Sequence, residues 1–334
     1  MPDPAPERAT GRGRAWYRGD MHLHTVHSDG TYQPADVAAG ARAAGLDFIA
    51  STDHNTSSAA AVRGAYAGPD LLIVDGEEIT TRNGHWLAVG LPAGAWIDRR
   101  YRATDGSFAE FRRAGAPARR SGDRRPSVLP VRRLLVEVRV RRLDAVEVWN
   151  GPWTVDDEVS VSTWDGLLVE DGRSARWLPA VDNSDAHRPG QVVGRPQTAV
   201  LARGLDTRSI VDGVRAGRSW IAGSAAVQLS FAGTAAGRTA GIGERLAVPD
   251  GMAVTATVTV SGAPGGVVRL VTDEGQVALT PMDASGAGTV PWITTPRRRR
   301  TSGPRYAVPT RRRASGRDGG DDQPDLPRPY PTLR

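Results

Sequence analysis

The chain has 334 residues, about twice the usual domain length, so two domains are predicted. Its 39% hydrophobic content suits a buried core, and no apolar run approaches the ~18 residues of a membrane span. With no cysteine, disulfides, thiolate metal sites and a cysteine nucleophile are excluded. The net charge of +6 misleads, because residues 112–142 and 297–334 hold 22 of the 43 basic residues, all of them Arg, and only 6 of the 37 acids. The remaining 21 Arg face 31 acids, so the body of the protein is acidic. The two Arg-rich stretches lack helix or strand periodicity, so a duplex nucleic-acid surface is not indicated.

Residues 1–14 are rich in Pro, Arg and Gly and lack an apolar signal core. They read as a linker, and the chain as written is expected in the cytoplasm; a missing upstream signal segment would make it secreted. Strand-like runs follow at 16–24, 46–52, 71–79, 85–91, 145–149, 178–181 and 198–201. Pro34 starts and Gly45 ends a helical stretch between the first two, and Ile210, Val211 and Val214 mark another helix before Gly217. Alternating strands and helices predict an α/β domain over 15–222 with a largely parallel sheet. From 223 to 296 the pattern turns all-β. Val254, Ala256, Val258 and Val260 alternate with Thr255, Thr257 and Thr259, which predicts a small C-terminal β-sandwich. Residues 297–334 form an Arg/Pro-rich tail.

The six histidines follow or close strand-like runs, in the company of acids. His22 and His24 are two apart, as are Asp185 and His187, and residues two apart on a strand share a face. Each pair is therefore expected to reach one ion. Imidazole and carboxylate are the donors of zinc, manganese or iron sites, and a carboxylate such as Glu78 can bridge two ions. Asp53 is expected to support a ligand rather than bind an ion, and His27 to support one or face the substrate. Arg82 and Arg188 stand close enough to these motifs to hold a phosphate, although a solvated surface role is the simpler reading for each. No Gly-X-Ser-X-Gly elbow supports serine-nucleophile chemistry.

The succession His22-Leu23-His24, Ser28-Asp29-Gly30, Thr52-Asp53-His54, Gly76-Glu77-Glu78, Gly84-His85 and Ser184-Asp185-Ala186-His187 resembles the PHP (polymerase and histidinol phosphatase) superfamily over residues 16–217. That resemblance implies a distorted (β/α)7 barrel with two or three divalent ions and hydrolysis, usually of phosphoesters. It implies His22, His24, Asp29, His54, Glu78, His85, Asp185 and His187 as ligands. His22, His24, Glu78, Asp185 and His187 would then carry catalysis through bound metal and water. The stretches Glu78-Ile79-Thr80-Thr81 and Val146-Glu147-Val148-Trp149-Asn150-Gly151, with a sandwich following, resemble the branch that includes carbamate hydrolases.

One departure stands out. The family places a further ligand in a His-Pro pair closing a middle strand, and this chain has no histidine between His85 and His187. The pair is missing from the Arg-rich stretch 112–142. Read one base later, the codons of residues 122–129 allow Val-Ile-Ala-Ala-His-Pro-Ser-Cys, an apolar strand ending in His-Pro. Both 112–142 and 297–334 are therefore read as frameshift products, the alternative being a genuine basic loop and tail. The expected function is a phosphoesterase acting on small phosphate esters or nucleotide ends. A carbamate or amide hydrolase using the same ions is the alternative, and a binding module impaired by the missing ligand is a third reading.

Overall fold

A computed structural model describes residues 9–81, 84–100, 129–133, 143–172, 177–295 and 305–307. Arg82, and the reading-frame question over 112–142 and 297–334 apart from two short strands, lie outside the described residues. Contacts divide the chain into two units, Met1–Ala225 with Ile242–Glu244, and Ala226–Gly241 with Arg245–Arg334. None of the described helices is long and apolar enough to cross a membrane.

Among its described residues the first unit has nine strands. These are β1 (Ala15–Asp20), β2 (Phe48–Ser51), β3 (Leu72–Thr81), β4 (Gly84–Val89), β5 (Leu129–Arg133), β6 (Ala145–Asn150), β7 (Ala180–Asn183), β8 (Gln197–Ala202) and β9 (Ser219–Ala222). They form one sheet in the order β7-β6-β5-β4-β3-β2-β1-β8-β9. The sheet curls until its ends approach, so that Ser219 Oγ on β9 donates to the Ala180 carbonyl on β7 at 3.3 Å. Among the described residues three α-helices accompany it: α1 (Pro34–Ala43), α2 (Val155–Gly172) and α3 (Thr207–Arg215). Pro34 opens α1, Gln33 and Asp36 form a capping box, and Gly45 takes a φ of +69° just beyond the C-cap. Val37, Ala38 and Ala41 turn inward and pack with Leu46 and with Ile49 and Ile73 of the sheet.

The sheet is mixed, which corrects the expectation of a largely parallel one. Pairs β1–β2, β2–β3, β5–β6 and β6–β7 are parallel, whereas β3–β4, β4–β5, β1–β8 and β8–β9 are antiparallel. Chain length is the reason at β3–β4. Only two residues separate Thr81 from Gly84, far below the dozen or so a parallel crossover needs. The core inside the curl is apolar, with Tyr17, Met21, Phe48, Leu72, Val74, Leu87, Val181 and Ile210 all buried. At Gly19 a Cβ would lie 2.3 Å from the Phe48 ring, so only glycine fits there.

Among its described residues the second unit holds two antiparallel sheets, β11-β10-β12-β15 and β14-β13-β16. Their strands are β10 (Gln228–Ala235), β11 (Arg238–Gly241), β12 (Val254–Ser261), β13 (Val267–Thr272), β14 (Gly275–Pro281), β15 (Gly288–Thr294) and β16 (Arg305–Ala307). Val258 and Val260 of β12, Val290 of β15 and Val268 of β13 share one core, while Thr255 and Thr259 face solvent. The period-two alternation of β12 thus marks a strand with one buried face.

Candidate metal centre

The polar residues gather at one end of the first unit's sheet, and two isolated backbone bridges account for the gathering. β1 ends at Asp20, yet the chain stays extended and Leu23 bridges Ala186 in parallel. Leu23 and Ala186 both enter the core cluster around α1. Their neighbours His22 and His24 therefore face away from it on one segment, and Asp185 and His187 flank Ala186 on the other. Beyond β2, His54 bridges Glu78 of β3 in the same way. Asp185 adopts a left-handed φ of +49°, a strained conformation for a non-glycine residue of the kind that concentrates at functional sites.

Glu78 Oε2 lies 3.0 Å from His22 Nε2 and 3.1 Å from His24 Nε2, and Asp185 Oδ1 lies 3.1 Å from each of the same nitrogens. These four spacings are close to the edge, about 3.3 Å, of the tetrahedron around a zinc ion with 2.0 Å bonds. His24 Nε2 and Asp185 Oδ1 are buried with no hydrogen-bond partner. Of the ten such buried atoms among the described residues, these two lie 3.1 Å from each other within one four-atom cluster. Side chains and geometry together fit a divalent cation.

A second, more open cluster adjoins the first. His24, Asp29, His54 and His187 can present ligand atoms to one another, with Asp29 carboxylate oxygens 3.6 Å from His54 Nε2 and 3.4 Å from His187 Nε2. A third grouping joins His54 and His85 to Glu78, whose Oε1 accepts from His85 Nδ1 at 2.8 Å. All eight residues singled out by the family resemblance thus meet at one place, and Glu78 belongs to two of the three groups. Asp185 and His187 fall into different clusters, contrary to the expectation that they share an ion. The left-handed turn at Asp185 explains the separation, because it breaks the strand alternation on which that expectation rests.

Supporting groups fix these side chains. Asp53 is buried and accepts from Thr25 N at 2.7 Å, Thr25 Oγ1 at 2.9 Å and Ser28 Oγ at 2.7 Å, which pins the loop carrying Asp29. The same loop folds back so closely that a Cβ on Gly30 would sit 2.7 Å from the His24 carbonyl carbon. His27 meets Ser58 Oγ at 2.9 Å and joins none of the clusters. Arg188 is exposed, and its backbone N–H donates to Gln191. Asp20 is fully buried and accepts from Ser184 Oγ and from the backbone of His22, Ser184 and Gly194, tying the end of β1 to the segment after β7.

Electrostatics follows from burial and carboxylate crowding. Burial pushes His22 down, but Asp185, Glu147 and Glu78 outweigh it and hold the imidazole well above its ordinary value. His24 behaves alike, burial being overcome by Asp185 and Glu78. His54 is lowered, chiefly by burial. Burial also opposes ionisation of Glu78 and Asp185, yet the neighbouring histidines win and both carboxyls lie below the usual range. Beneath them burial raises Asp20 to about 6 and Glu77 to about 7, and Asp182 well above the ordinary value. Without an ion, the histidines of the tight cluster bind protons to answer the surrounding negative charge.

No family model matches the chain, and no curated protein matches it. Among solved structures it is similar to a two-domain protein from Bacteroides vulgatus containing a predicted PHP-like metal-dependent phosphoesterase. The identity there is 14%, the coverage 88% of this chain and 90% of that one, and the TM-score 0.49. An amidohydrolase from Chromobacterium violaceum with bound sulfate and no metal shows 17% identity over 53% of this chain and 89% of its own, at a TM-score of 0.35. A third, assigned as a metal-dependent phosphoesterase of Bifidobacterium adolescentis, shows 19% identity over 64% and 96%, at 0.33.

The residues that brace these side chains are harder to see in the sequence than the cluster members themselves. Glu147 and Asn150 of β6, Asn183 of β7 and Thr80 of β3 all touch the histidines or their partners. A signal existed for Glu147, a lone acid inside the apolar run Ala145–Asn150. Thr80 and Asn183 carry no such mark.

Proposed function

We propose that this chain is a metal-dependent hydrolase of the PHP superfamily, acting as a phosphoesterase on small phosphate esters or nucleotide ends. The observation that carries the reading is the four-atom cluster of His22, His24, Glu78 and Asp185, two of whose atoms are buried and otherwise unpartnered. Its ligands are His22, His24, Asp29, His54, Glu78, His85, Asp185 and His187, holding two or three zinc, manganese or iron ions. We read the first unit as a distorted (β/α)7 barrel and the second as a small β-sandwich.

When bound, such ions lower the pKa of a coordinated water toward ~7 and stabilise charge on the substrate oxygens. The protein's own part is positional. Asp53 and Gly30 fix the loop that presents Asp29, and Asp20 fixes the segment that presents Asp185. Asp29 is the most exposed of these acids, with 60% of its side chain open, so the open cluster marks the side from which substrate enters. Glu78 links the tight cluster to the grouping of His54 and His85, its Oε2 facing His22 and its Oε1 facing His85.

The test is hydrolysis of a phosphomonoester and of an aryl carbamate by protein stripped with chelator and then reloaded. Activity on the phosphoester that requires metal and is inhibited by millimolar phosphate supports the reading. Metal-dependent activity on the carbamate alone, indifferent to phosphate, moves it to carbamate or amide hydrolysis. Binding of metal with turnover of neither substrate leaves a binding module.

A further inference from the structure

We infer that Glu147 is a positioning residue that makes the tight cluster the strongest cation site of the protein, by keeping the His22 proton on Nδ1 and its Nε2 lone pair on the ion. The inference rests on the metal-site reading above. His22 Nδ1 lies 3.1 Å from Glu147 Oε1 and 3.2 Å from Oε2, while His22 Nε2 faces Glu78 and Asp185. Glu147 is 1% exposed and is braced from behind, accepting from Asn183 Nδ2 at 2.7 Å and Asn150 Nδ2 at 3.3 Å. Asn183 is itself fixed, its Oδ1 accepting from the backbone of Met21 at 2.6 Å, next to His22 in the chain. One buried carboxylate therefore joins β6, β7 and the segment after β1 at the ring that needs orienting.

The other histidines are held differently. His54 Nδ1 meets the Thr80 hydroxyl at 2.5 Å and lies 3.1 Å from Glu78 Oε2, a member of the clusters, while His187 Nδ1 donates to the Asp185 backbone carbonyl at 2.7 Å. His24 Nδ1 lies 3.5 Å from Ser28 Oγ and 3.8 Å from Asp29. His85 Nδ1 is held by Glu78, a member of the clusters. Among the described residues, His22 is thus the histidine whose ring is oriented by an anion outside all three groups. A carboxylate on the far nitrogen fixes the tautomer and makes the near nitrogen a better donor, and loss of such partners typically costs 10–100-fold in metal affinity. A hydroxyl or a carbonyl fixes orientation without supplying a full negative charge.

The experiment uses the full chain, with Zn²⁺ and Co²⁺ as probes, in chelator competition on wild type, Glu147→Gln and His22→Ala. The expected result is that Glu147→Gln weakens the tightest ion about 10–100-fold. It should keep the wild-type stoichiometry and Co²⁺ absorption spectrum, because the ligands themselves remain, whereas His22→Ala loses the ion. Wild-type affinity in Glu147→Gln overturns the inference, and so does a changed Co²⁺ spectrum, which would make Glu147 a ligand. Should the variant fold poorly, ¹⁵N NMR of zinc-loaded wild type decides the point. A proton on His22 Nδ1 with metal on Nε2 supports the inference, and the reverse tautomer overturns it. Wild type that binds neither ion defeats the metal-site reading itself, a result distinct from wild type that binds while Glu147→Gln matches it.

Discussion

The tight and the open cluster are built from the same residue types, yet they differ in what holds them. In the tight cluster the donor atoms stand 3.0–3.1 Å apart on His22, His24, Glu78 and Asp185, and both histidines are nearly free of solvent. In the open cluster the contacts stretch to 3.4–3.8 Å and Asp29 is mostly exposed. The first is anchored by residues beside strand ends and braced by buried carboxylates; the second depends on the 25–30 loop. A site whose donors are held in place before the ion arrives loses less entropy on binding than one whose loop must order. The two positions should therefore differ in affinity, and this difference can be tested.

The largest expected effect is removal of a tight ligand. His22→Ala or Asp185→Ala should lower turnover by about 100- to 1000-fold, on the scale of losing one charge-stabilising group, and should remove the tightest ion in a metal titration. Activity indifferent to either change and to chelators would end the metal account. Asp29→Ala and His187→Ala should act more gently: the tight ion stays bound and one weaker equivalent disappears. Equal losses at both clusters would erase the distinction between them.

Acidity should separate the clusters further. Metal must displace protons from histidine, so affinity rises with pH until each imidazole is neutral. His24 is shared by both clusters, but His22 of the tight cluster is raised while His54 of the open one is lowered, so binding at the tight cluster should keep strengthening to higher pH than binding at the open one. Titrations at stepwise pH values would show two distinct profiles, and superimposable profiles would contradict the assignment.

A smaller effect concerns stability. Glu77 points away from the clusters, and its Oε2 accepts from Ile97 N at 2.6 Å while Oε1 is unpartnered. Burial raises it to about 7, so the folded state holds a proton that the unfolded chain releases near the ordinary carboxyl value. Stability therefore falls as pH rises from that value to about 7. Glu77→Gln should remove that loss, stabilising the metal-free protein at pH 8 by of order 1–3 kcal/mol in denaturant unfolding. An unchanged pH slope would mean that this carboxyl is not responsible.

The residues that gather in these clusters could be singled out in the sequence because metal chemistry admits few donor types and His, Asp and Glu here fall at strand ends. His22 with His24 could be paired from spacing alone, since Leu23 must turn into the core. Asp185 with His187 could not, because a left-handed residue breaks the two-residue alternation and leaves no trace in composition. The mixed sheet was readable in part: Thr81 and Gly84 are too close for any parallel crossover. The antiparallel pairing of β1 with β8 joins residues about 180 apart, and no local pattern encodes it. Glu147 illustrates the same limit, since its partners His22 and Asn183 lie 125 and 36 residues away.

The most direct test of the central claim is to count and rank the bound ions in purified wild-type protein, by titrating Zn²⁺ or Mn²⁺ into chelator-stripped protein in parallel with His22→Ala. The account predicts at least two classes of site, the tightest absent from His22→Ala, with hydrolysis of a phosphomonoester returning as the sites fill. A single weak class unaffected by His22→Ala, or hydrolysis that survives complete stripping, would contradict it.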